Sequence, residues 1–308
     1  MKYVEYINQL IKEKLSKESA VAFGQNINAG SCLSGLTRGL KIKSPGIIIN
    51  ATNSENTLVG LGFGLMIAGV NGIFFMKQQD FLLLGIDPLV NTYNFIRRKN
   101  PKASFTIVFT IVDEGYQGLQ SSLNNFSDFC SIARVPGFTI TNKIDAEEII
   151  NKHLISPGFR MIGISQRLFK QEILELTKIK SNEDSNMFKY SEGKDLTIVC
   201  FNLSIPYGKE LENRLSEKGI HSSLFSVNSP TPINWYDIIE DVKKTKKIVI
   251  IDDSKSENIP GDSLMSHILE KCLLDKKLFL RRDFSKDWLS PNKEILEIDY
   301  EKIISYLG

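Results

Sequence analysis

The sequence predicts an α/β protein of two doubly wound domains, and three observations lead to that prediction. Runs of β-branched and other apolar residues recur between amphipathic stretches, a pattern typical of strands buried on both faces of a parallel sheet. A polar stretch near the middle interrupts this alternation, which then restarts. The length of 308 residues matches two domains of ordinary size, and a hydrophobic share of 42% is enough for folded cores.

The first half alternates predicted strands and helices. Apolar runs predict strands at residues 20–23, 46–51, 72–75, 105–112 and 161–164. Amphipathic spacing predicts helices at residues 3–15, 55–68, 87–97, 122–133 and 146–154. Because helices separate most of these strands, we expect the strands to run parallel in one sheet.

The second half repeats the alternation after a polar segment. Residues 176–194 contain a run of charged and amide side chains that no buried element would carry, so we predict domains at 1–185 and 192–308. Beyond it, strands are predicted at 196–201, 221–227, 247–252 and 277–280, and helices at 207–218, 235–244, 263–273 and 300–307. This pattern predicts a smaller doubly wound domain with a parallel sheet of its own.

Charge and hydropathy exclude several classes of protein. The 38 Lys and Arg nearly balance the 36 Asp and Glu, so no one-sided field attracts a nucleic acid or a membrane surface. The longest nearly apolar run, residues 61–76, is interrupted by glycines and by Asn71 and is shorter than the roughly 18 residues of a membrane span. Residues 1–19 lack the apolar centre of a secretory signal. We therefore expect a cytoplasmic protein.

The nucleophilic and metal-ligating residues are few. The four cysteines are scattered singly, only three histidines occur, and no serine lies in a Gly-x-Ser-x-Gly motif. We therefore predict no metal site, no disulfide framework and no serine-histidine machinery. If the protein is an enzyme, a cofactor supplies the difficult chemistry.

Residues 47–81 contain the best candidate site. The run 47–49 predicts a buried strand that leads through a polar loop into a helix at Glu55, which places this carboxyl at the ligand-binding edge of an open sheet. Three glycines, at about 1 kcal/mol each relative to alanine, weaken that helix and suggest that another surface packs closely on it: Gly60, Gly62 and Gly64. An ordinary helix remains an alternative, because Asn53 or Ser54 would cap it, acidic first turns are routine and the glycines fit helix-on-sheet contacts.

Phe81 follows the next predicted strand and has two interpretations. Its ring is either a core aromatic or a flat surface for a ligand ring beside Glu55. Asp252 and Asp253 end a predicted strand in the second domain. This position is compatible with contact to a ligand or an ion, but we leave both residues outside the catalytic set. The basic run 243–247 is typical of a solvated helix end.

Several motifs together resemble a known family. They are Ser54-Glu55 followed by Gly60, Gly62, Gly64 and Gly69, then Gln79-Asp80-Phe81, then Asp87-Pro88-Leu89-Val90-Asn91. This arrangement resembles the pyrimidine-binding domain of transketolase-type thiamine diphosphate enzymes, and the beta chains of the first component of 2-oxoacid dehydrogenases. The likeness continues at 135–138 and 243–253, so it covers nearly the whole chain.

The resemblance implies a fold and a set of site residues. It implies a pyrimidine-binding domain at 1–185 and a transketolase C-terminal-like domain at 192–308, the second of which builds a homodimer contact. In the family the glutamate that matches Glu55 hydrogen-bonds the aminopyrimidine ring of thiamine diphosphate and activates the cofactor. The resemblance thus implies a catalytic role for Glu55 and cofactor contacts at Glu55, Leu58, Lys77 and Phe81.

Two departures from the family pattern point to a partner. The motif that holds the diphosphate and Mg²⁺, Gly-Asp-Gly followed by Asn-Asn, is absent, since the only Gly-Asp pair is Gly261-Asp262. We therefore expect an alpha-type partner chain to hold Mg²⁺ and to share thiamine diphosphate with this chain, in an α2β2 heterotetramer. The loop at 115–123 also lacks the usual histidine; Gln120 or Ser121 can donate hydrogen bonds to the substrate there but cannot shuttle a proton near pH 7. Either the acceptor chemistry differs from lipoyl acylation, the partner supplies the missing acid, or activity is lost.

The expected function is a subunit of a thiamine diphosphate-dependent enzyme, of the transketolase or 2-oxoacid dehydrogenase type. Such an enzyme cleaves or forms a carbon–carbon bond next to a carbonyl, in a keto acid or ketose, and this chain would be inactive without its partner. Two alternatives remain. The missing histidine favours a non-catalytic interaction subunit, and the fold alone also fits a doubly wound binding protein for another nucleotide-like ligand.

Overall fold

The computed structural model describes residues 1–114, 123–230, 234–282 and 295–307. Within these ranges the strands form two six-stranded sheets, each packed with helices. The predicted fold class of two doubly wound α/β units is therefore confirmed.

The first sheet is parallel throughout and has the strand order β2-β1-β3-β4-β6-β5. Its strands are β1 (Val21–Gly24), β2 (Ile47–Asn50), β3 (Gly72–Met76), β4 (Ser104–Ile111), β5 (Gly137–Ile140) and β6 (Gly158–Ser165). Its helices are α1 (Tyr3–Lys17), α2 (Glu55–Ile67), α3 (Tyr93–Ile96), α4 (Phe126–Ala133) and α5 (Lys143–His153). The chain order reverses between β1 and β3, so the crevice in which such sheets bind ligands lies at the carboxyl ends of these strands.

The second sheet has the order β12-β11-β9-β10-β8-β7 and is parallel except at one edge. Its strands are β7 (Lys180–Ser181), β8 (Met187–Ser191), β9 (Leu196–Phe201), β10 (Ser222–Val227), β11 (Lys247–Asp252) and β12 (Lys276–Leu280). Its helices are α6 (Ile205–Glu217), α7 (Tyr236–Thr245), α8 (Pro260–Lys271) and α9 (Tyr300–Leu307).

One hydrophobic cluster joins the two halves of the molecule. It contains buried residues of α1 and α5 from the first half together with residues of β9, β11 and α9 from the second. A separate cluster lies between the first sheet and helices α2 and α4, and includes Phe63, Phe105 and Phe159. Every residue of β4 is buried, so this strand is covered on both faces, as is typical of a central strand in a parallel sheet.

Strand β2 corrects one expectation. The run 47–49 was expected to be buried, but Ile47 is 52% exposed and Ile49 is 39% exposed. The reason is position, because β2 is the edge strand and pairs only with β1 within the described part of the sheet. An apolar edge of this kind is unusual on a free surface.

The polar segment between the domains also differs from expectation. It was expected to hold no buried element, yet β7 and β8 form an antiparallel hairpin that pairs with β10. Met187 and Phe188 are buried, while Lys180 pairs with Asp237 at 2.8 Å on the outside of the hairpin. The division at 185–192 remains a prediction, and the pairing of the hairpin favours a boundary ahead of Lys180.

Two further elements depart from the sequence prediction. Strand β5 was not predicted, because Pro136 and Gly137 at its start are turn-forming residues. The helix expected at 87–97 is broken into a π-helical turn at Pro88–Thr92, the short helix α3 and a 3₁₀ turn at Arg97–Lys99.

In the described part of the chain, no helix has the length and apolar character needed to cross a bilayer.

Candidate active site

Glu55 is the first residue of α2 and lies just beyond the carboxyl end of β2. The loop before it is tied to the loop after β1, because the side-chain oxygen of Asn50 accepts a hydrogen bond from the backbone nitrogen of Asn28 at 2.9 Å. The Glu55 side chain is partly exposed, and no described residue donates a hydrogen bond to its carboxylate. The carboxyl group is therefore free to bond a ligand at the crevice of the first sheet.

Phe81 lies in a 3₁₀ helix, Gln79–Gly85, that follows β3 and packs against the first turns of α2. The contact is close, since a Cβ added to Gly85 would lie 2.8 Å from a methyl carbon of Val59 and 3.5 Å from the main-chain oxygen of Glu55. Phe81 is partly buried and packs on the same cluster as the buried Leu58. Phe81, Leu58 and the start of α2 thus belong to one packed region, and their role as a cofactor site stays a prediction.

The glycines of α2 divide into two groups. A Cβ on Gly62 would lie 2.1 Å from the ring of Phe105, so this glycine permits close packing of the helix on β4. Gly60 and Gly64 have open space at the Cβ position. Leu61 and Ile67, on the same helix, are 42% and 58% exposed. Gly62 is therefore explained by the contact of the helix with the sheet, whereas Gly60 and Gly64 have no packing role within the described chain.

The remaining predicted site residues have different outcomes. Lys77 is exposed and follows β3 at the same carboxyl edge as Phe81, so its position fits the prediction but its role stays a prediction. Gln120 and Ser121 lie outside the described residues.

Two polar residues next to Phe81 were missed as anchors of the site. Gln79 is fully buried, and its side-chain nitrogen donates to the side-chain oxygen of Asn125 at 2.7 Å. Asp80 is 3% exposed and accepts a hydrogen bond from the backbone nitrogen of Leu123 at 3.0 Å. These bonds fasten the segment carrying Phe81 to residues 123–125. Their signal in the sequence was two polar residues placed directly before an aromatic one.

A buried ion network between the two sheets was also missed. Arg167 lies 3.3 Å from a carboxylate oxygen of Asp113, which follows β4, and 3.2 Å from one of Asp253, which follows β11. Asp113 also accepts from the hydroxyl of Ser165 at 2.6 Å, and Asp253 accepts from the side chain of Asn202 at 2.9 Å. The network therefore joins the carboxyl edges of both sheets. Its signal was a pair of aspartates that each follow a long apolar strand.

Burial and the attraction between opposite charges act against each other in this network. Loss of hydration raises the pKa of Asp113, although Arg167 acts to lower it. Burial also acts to lower the pKa of the Arg167 guanidinium, but the attraction of Asp253 and Asp113 outweighs it and leaves that pKa above its usual value. The arginine is therefore a permanent cation between two carboxylates.

Comparison with known proteins gives this geometry a family context. No protein-family model matches the chain. The chain is 23% identical over 292 residues to the beta subunit of 2-oxoisovalerate dehydrogenase from Bacillus subtilis, with 92% of this chain and 88% of the relative covered. It is 22% identical to the pyruvate dehydrogenase E1 component subunit beta of Acholeplasma laidlawii, with coverage of 87% and 84%. The chain is therefore similar to E1 beta subunits over most of its length.

Solved structures support the same conclusion for the fold. A split-gene transketolase, described as an inactive beta4 tetramer, matches with a TM-score of 0.71 at 15% identity, and the match covers 98% of this chain and 95% of that one. Transketolase from Campylobacter jejuni matches with a TM-score of 0.69 at 10% identity, and the match covers all of this chain but 45% of that one. In fold, this chain therefore corresponds to about half of a single-chain transketolase, and the predicted resemblance to E1 beta chains and transketolase is confirmed.

Proposed function

We propose that this chain is the beta-type subunit of a thiamine diphosphate-dependent enzyme that cleaves or forms a carbon–carbon bond next to a carbonyl. The observation that carries the proposal is Glu55, whose carboxylate no described residue engages, at the carboxyl edge of the first sheet and beside the segment of Phe81. The names of the E1 beta and transketolase relatives support it.

The described residues fit the pyrimidine half of the cofactor. Glu55 offers a carboxyl that can share a proton with a ring nitrogen, while Leu58 and Phe81 supply apolar surface on which a flat ring can pack. Lys77 adds a cation at the same edge. When bound, thiamine diphosphate would supply a carbon nucleophile and an electron sink for the substrate carbonyl. The task of Glu55 is to hold the proton at the ring nitrogen and so fix the tautomer of the pyrimidine.

The surface around α2 supports a partner chain. Gly60 and Gly64 leave the helix backbone open to close approach, and the exposed Ile47, Ile49 and Ile67 lie on the adjoining β2 and α2. We propose that an alpha-type chain covers this surface and holds the diphosphate and Mg²⁺, so that the two chains share the cofactor. Leu269 of α8 and Leu273, which follows that helix, are 49% and 91% exposed and support a homodimer contact through the second domain.

The test is a change of the Glu55 carboxyl to an amide in a reconstituted complex. The chain is purified with its co-expressed partner, and turnover of keto acid and ketose substrates is measured with thiamine diphosphate and Mg²⁺. Glu55→Gln should lower turnover by about 10²-fold or more, since the amide cannot hold the proton at the ring nitrogen, while cofactor binding persists. Glu217→Gln, which makes the same change on an exposed residue of α6, should leave turnover unchanged.

The outcome also separates the alternatives. Full turnover of the Glu55→Gln complex with normal cofactor affinity would contradict the assigned role. A complex that assembles without binding the cofactor would favour a non-catalytic interaction subunit. Tight binding of another nucleotide by the lone chain would favour a different binding protein.

A further inference from the structure

A second site is marked by an unusual distribution of charge along the chain. No acidic residue occurs between Asp87 and Asp113, while four cations occur at 97–102: Arg97, Arg98, Lys99 and Lys102. None of the four takes part in an ion pair within the described residues. A local excess of positive charge therefore stands out in a chain whose overall charge is nearly balanced.

Part of this segment lines a cleft at the amino ends of β4 and β6. The cleft has a volume of about 430 Å³, and Tyr93, Arg97, Lys102 and Gly158 are among its lining residues. No carboxylate lines it within the described chain. All strands of the first sheet are parallel, so this cleft lies at the edge opposite to Glu55. A volume of this size is in the range of small-molecule sites.

Arg97 is held in place at the wall of the cleft. Its guanidinium carbon lies 4.1 Å from the centre of the Tyr93 ring, and one terminal nitrogen donates to the backbone oxygen of Ala133. These contacts occupy one face and one donor of the guanidinium and leave the other terminal nitrogen without a described acceptor. A preorganised guanidinium loses little entropy when its free nitrogen binds an anion through a charge-assisted hydrogen bond.

A buried cation behind the cleft strengthens its positive potential. Arg160 is 5% exposed and donates to the backbone oxygens of Pro157 and His153, at 2.6 and 3.3 Å, and to that of Ser156. Pro157 itself lines the cleft. The described acceptors of Arg160 are all neutral oxygens, so no carboxylate hydrogen-bonded to it cancels its charge. Burial lowers its pKa to about 10, which still leaves it charged at neutral pH.

We propose that this cleft binds a small phosphate-type anion, with the free terminal nitrogen of Arg97 as a donor and Lys102 as a second positive charge. Two sources share this chemistry, inorganic phosphate and the phosphate group of a small phosphorylated molecule. An acidic peptide is the less favoured ligand, because the fixed Arg97 and the limited volume suit one compact dianion. The proposal is independent of the function proposed for the opposite edge of the sheet.

The test is calorimetric titration of the full chain without thiamine diphosphate, so its failure says nothing about Glu55. Inorganic phosphate and glycerol phosphate are the two probes, and sodium chloride keeps the ionic strength constant. Lys102→Gln and Arg97→Gln should each weaken binding about tenfold or more, since each removes a charge-assisted contact. Lys99→Gln and Arg98→Gln remove the same charges from neighbours that do not line the cleft, and should change the affinity by less than about twofold.

The outcomes decide between a site and a general basic surface. Saturable binding that depends on Lys102 and Arg97 but not on Lys99 and Arg98 supports the cleft, and tighter binding of glycerol phosphate identifies a phosphorylated molecule as the source. Equal weakening in all four variants, or no saturable binding of either probe, would overturn the proposal. If Arg97→Gln unfolds, Lys102→Gln alone still decides, because no described residue hydrogen-bonds its side chain.

Discussion

Asp252 is a buried carboxyl group whose ionisation opposes folding. It ends β11, is 1% exposed and accepts a hydrogen bond from the backbone nitrogen of Ser254 at 2.9 Å. Burial raises its pKa from 3.8 to about 6, and the nearby Asp253 and Asp262 act in the same direction. One hydrogen bond from the backbone therefore does not offset the loss of hydration.

This shift predicts a pH dependence of stability. An acid whose pKa is higher in the folded state makes the free energy of unfolding fall as the pH rises from about 4 to about 6. For Asp252 the complete fall is roughly 3 kcal/mol, of which about 2 kcal/mol lies between pH 4 and pH 7. In Asp252→Asn this contribution disappears, so the stability of the variant relative to wild type should be greater at pH 7 than at pH 4. Urea denaturation at both values measures the difference.

The control for this prediction is Glu217→Gln, an exposed acid changed in the same way. A constant cost of the new amide at Asp252 would appear at both pH values and cancel in the comparison. If the stability of Asp252→Asn relative to wild type were the same at pH 4 and pH 7, Asp252 would not be the group that titrates.

The glycines of α2 differ in their surroundings, because Gly62 packs on Phe105 and Gly64 has open space at its Cβ position. Gly64→Ala should stabilise the lone chain by about 1 kcal/mol, because alanine favours helix and the Cβ position is open. Gly62→Ala should destabilise it by about 1–3 kcal/mol, because the new Cβ would lie 2.1 Å from Phe105. Thermal unfolding of both variants checks the two signs.

Gly64→Ala also tests the proposed interface at α2. In the reconstituted complex, Gly64→Ala should weaken association with the alpha-type partner even though it stabilises the lone chain, because the added methyl blocks close approach of the helix backbone. Analytical ultracentrifugation measures this association. If the Gly64→Ala chain is more stable and also assembles as tightly as wild type, α2 is not part of the proposed interface.

Elements with one strong local signal were predicted well. The bounds of β9, β11 and α9 are those expected from the sequence, since each has continuous apolar or amphipathic spacing. The hairpin of β7 and β8 was hidden because its charged side chains pair with carboxylates of α7, a compensation that depends on the tertiary fold. The exposure of β2 was missed for a related reason, because periodicity does not tell an edge strand from a central one.

At the scale of the whole molecule, the candidate site was only partly predictable. Glu55, Leu58 and Phe81 lie within one short stretch of sequence, so their grouping followed from a strand, a loop and a helix. Asp113, Arg167 and Asp253 are far apart in sequence and meet because the carboxyl edges of the two sheets face each other. No local pattern contains that arrangement.

The two sheets are held together by this network, so removal of its cation should be costly. Arg167→Gln leaves the buried carboxylates of Asp113 and Asp253 without a counter-charge, and we expect it to lower the free energy of unfolding by about 3–5 kcal/mol at pH 7. The loss should be smaller at pH 5, since burial already raises the pKa of Asp113 and a proton can then replace the missing cation.

Arg214→Gln is the matched control, because Arg214 pairs with Glu210 and Glu301 on the surface, where the three side chains are 41–73% exposed. Surface pairs of this kind contribute less than about 1 kcal/mol, so the control should have little effect at either pH. Urea denaturation of both variants at pH 5 and pH 7 gives the four values needed. An equal loss for Arg167→Gln at the two pH values would mean that the protonation of Asp113 does not relieve the unpaired charge. A loss no larger than that of the control would mean that the network does not join the two sheets energetically.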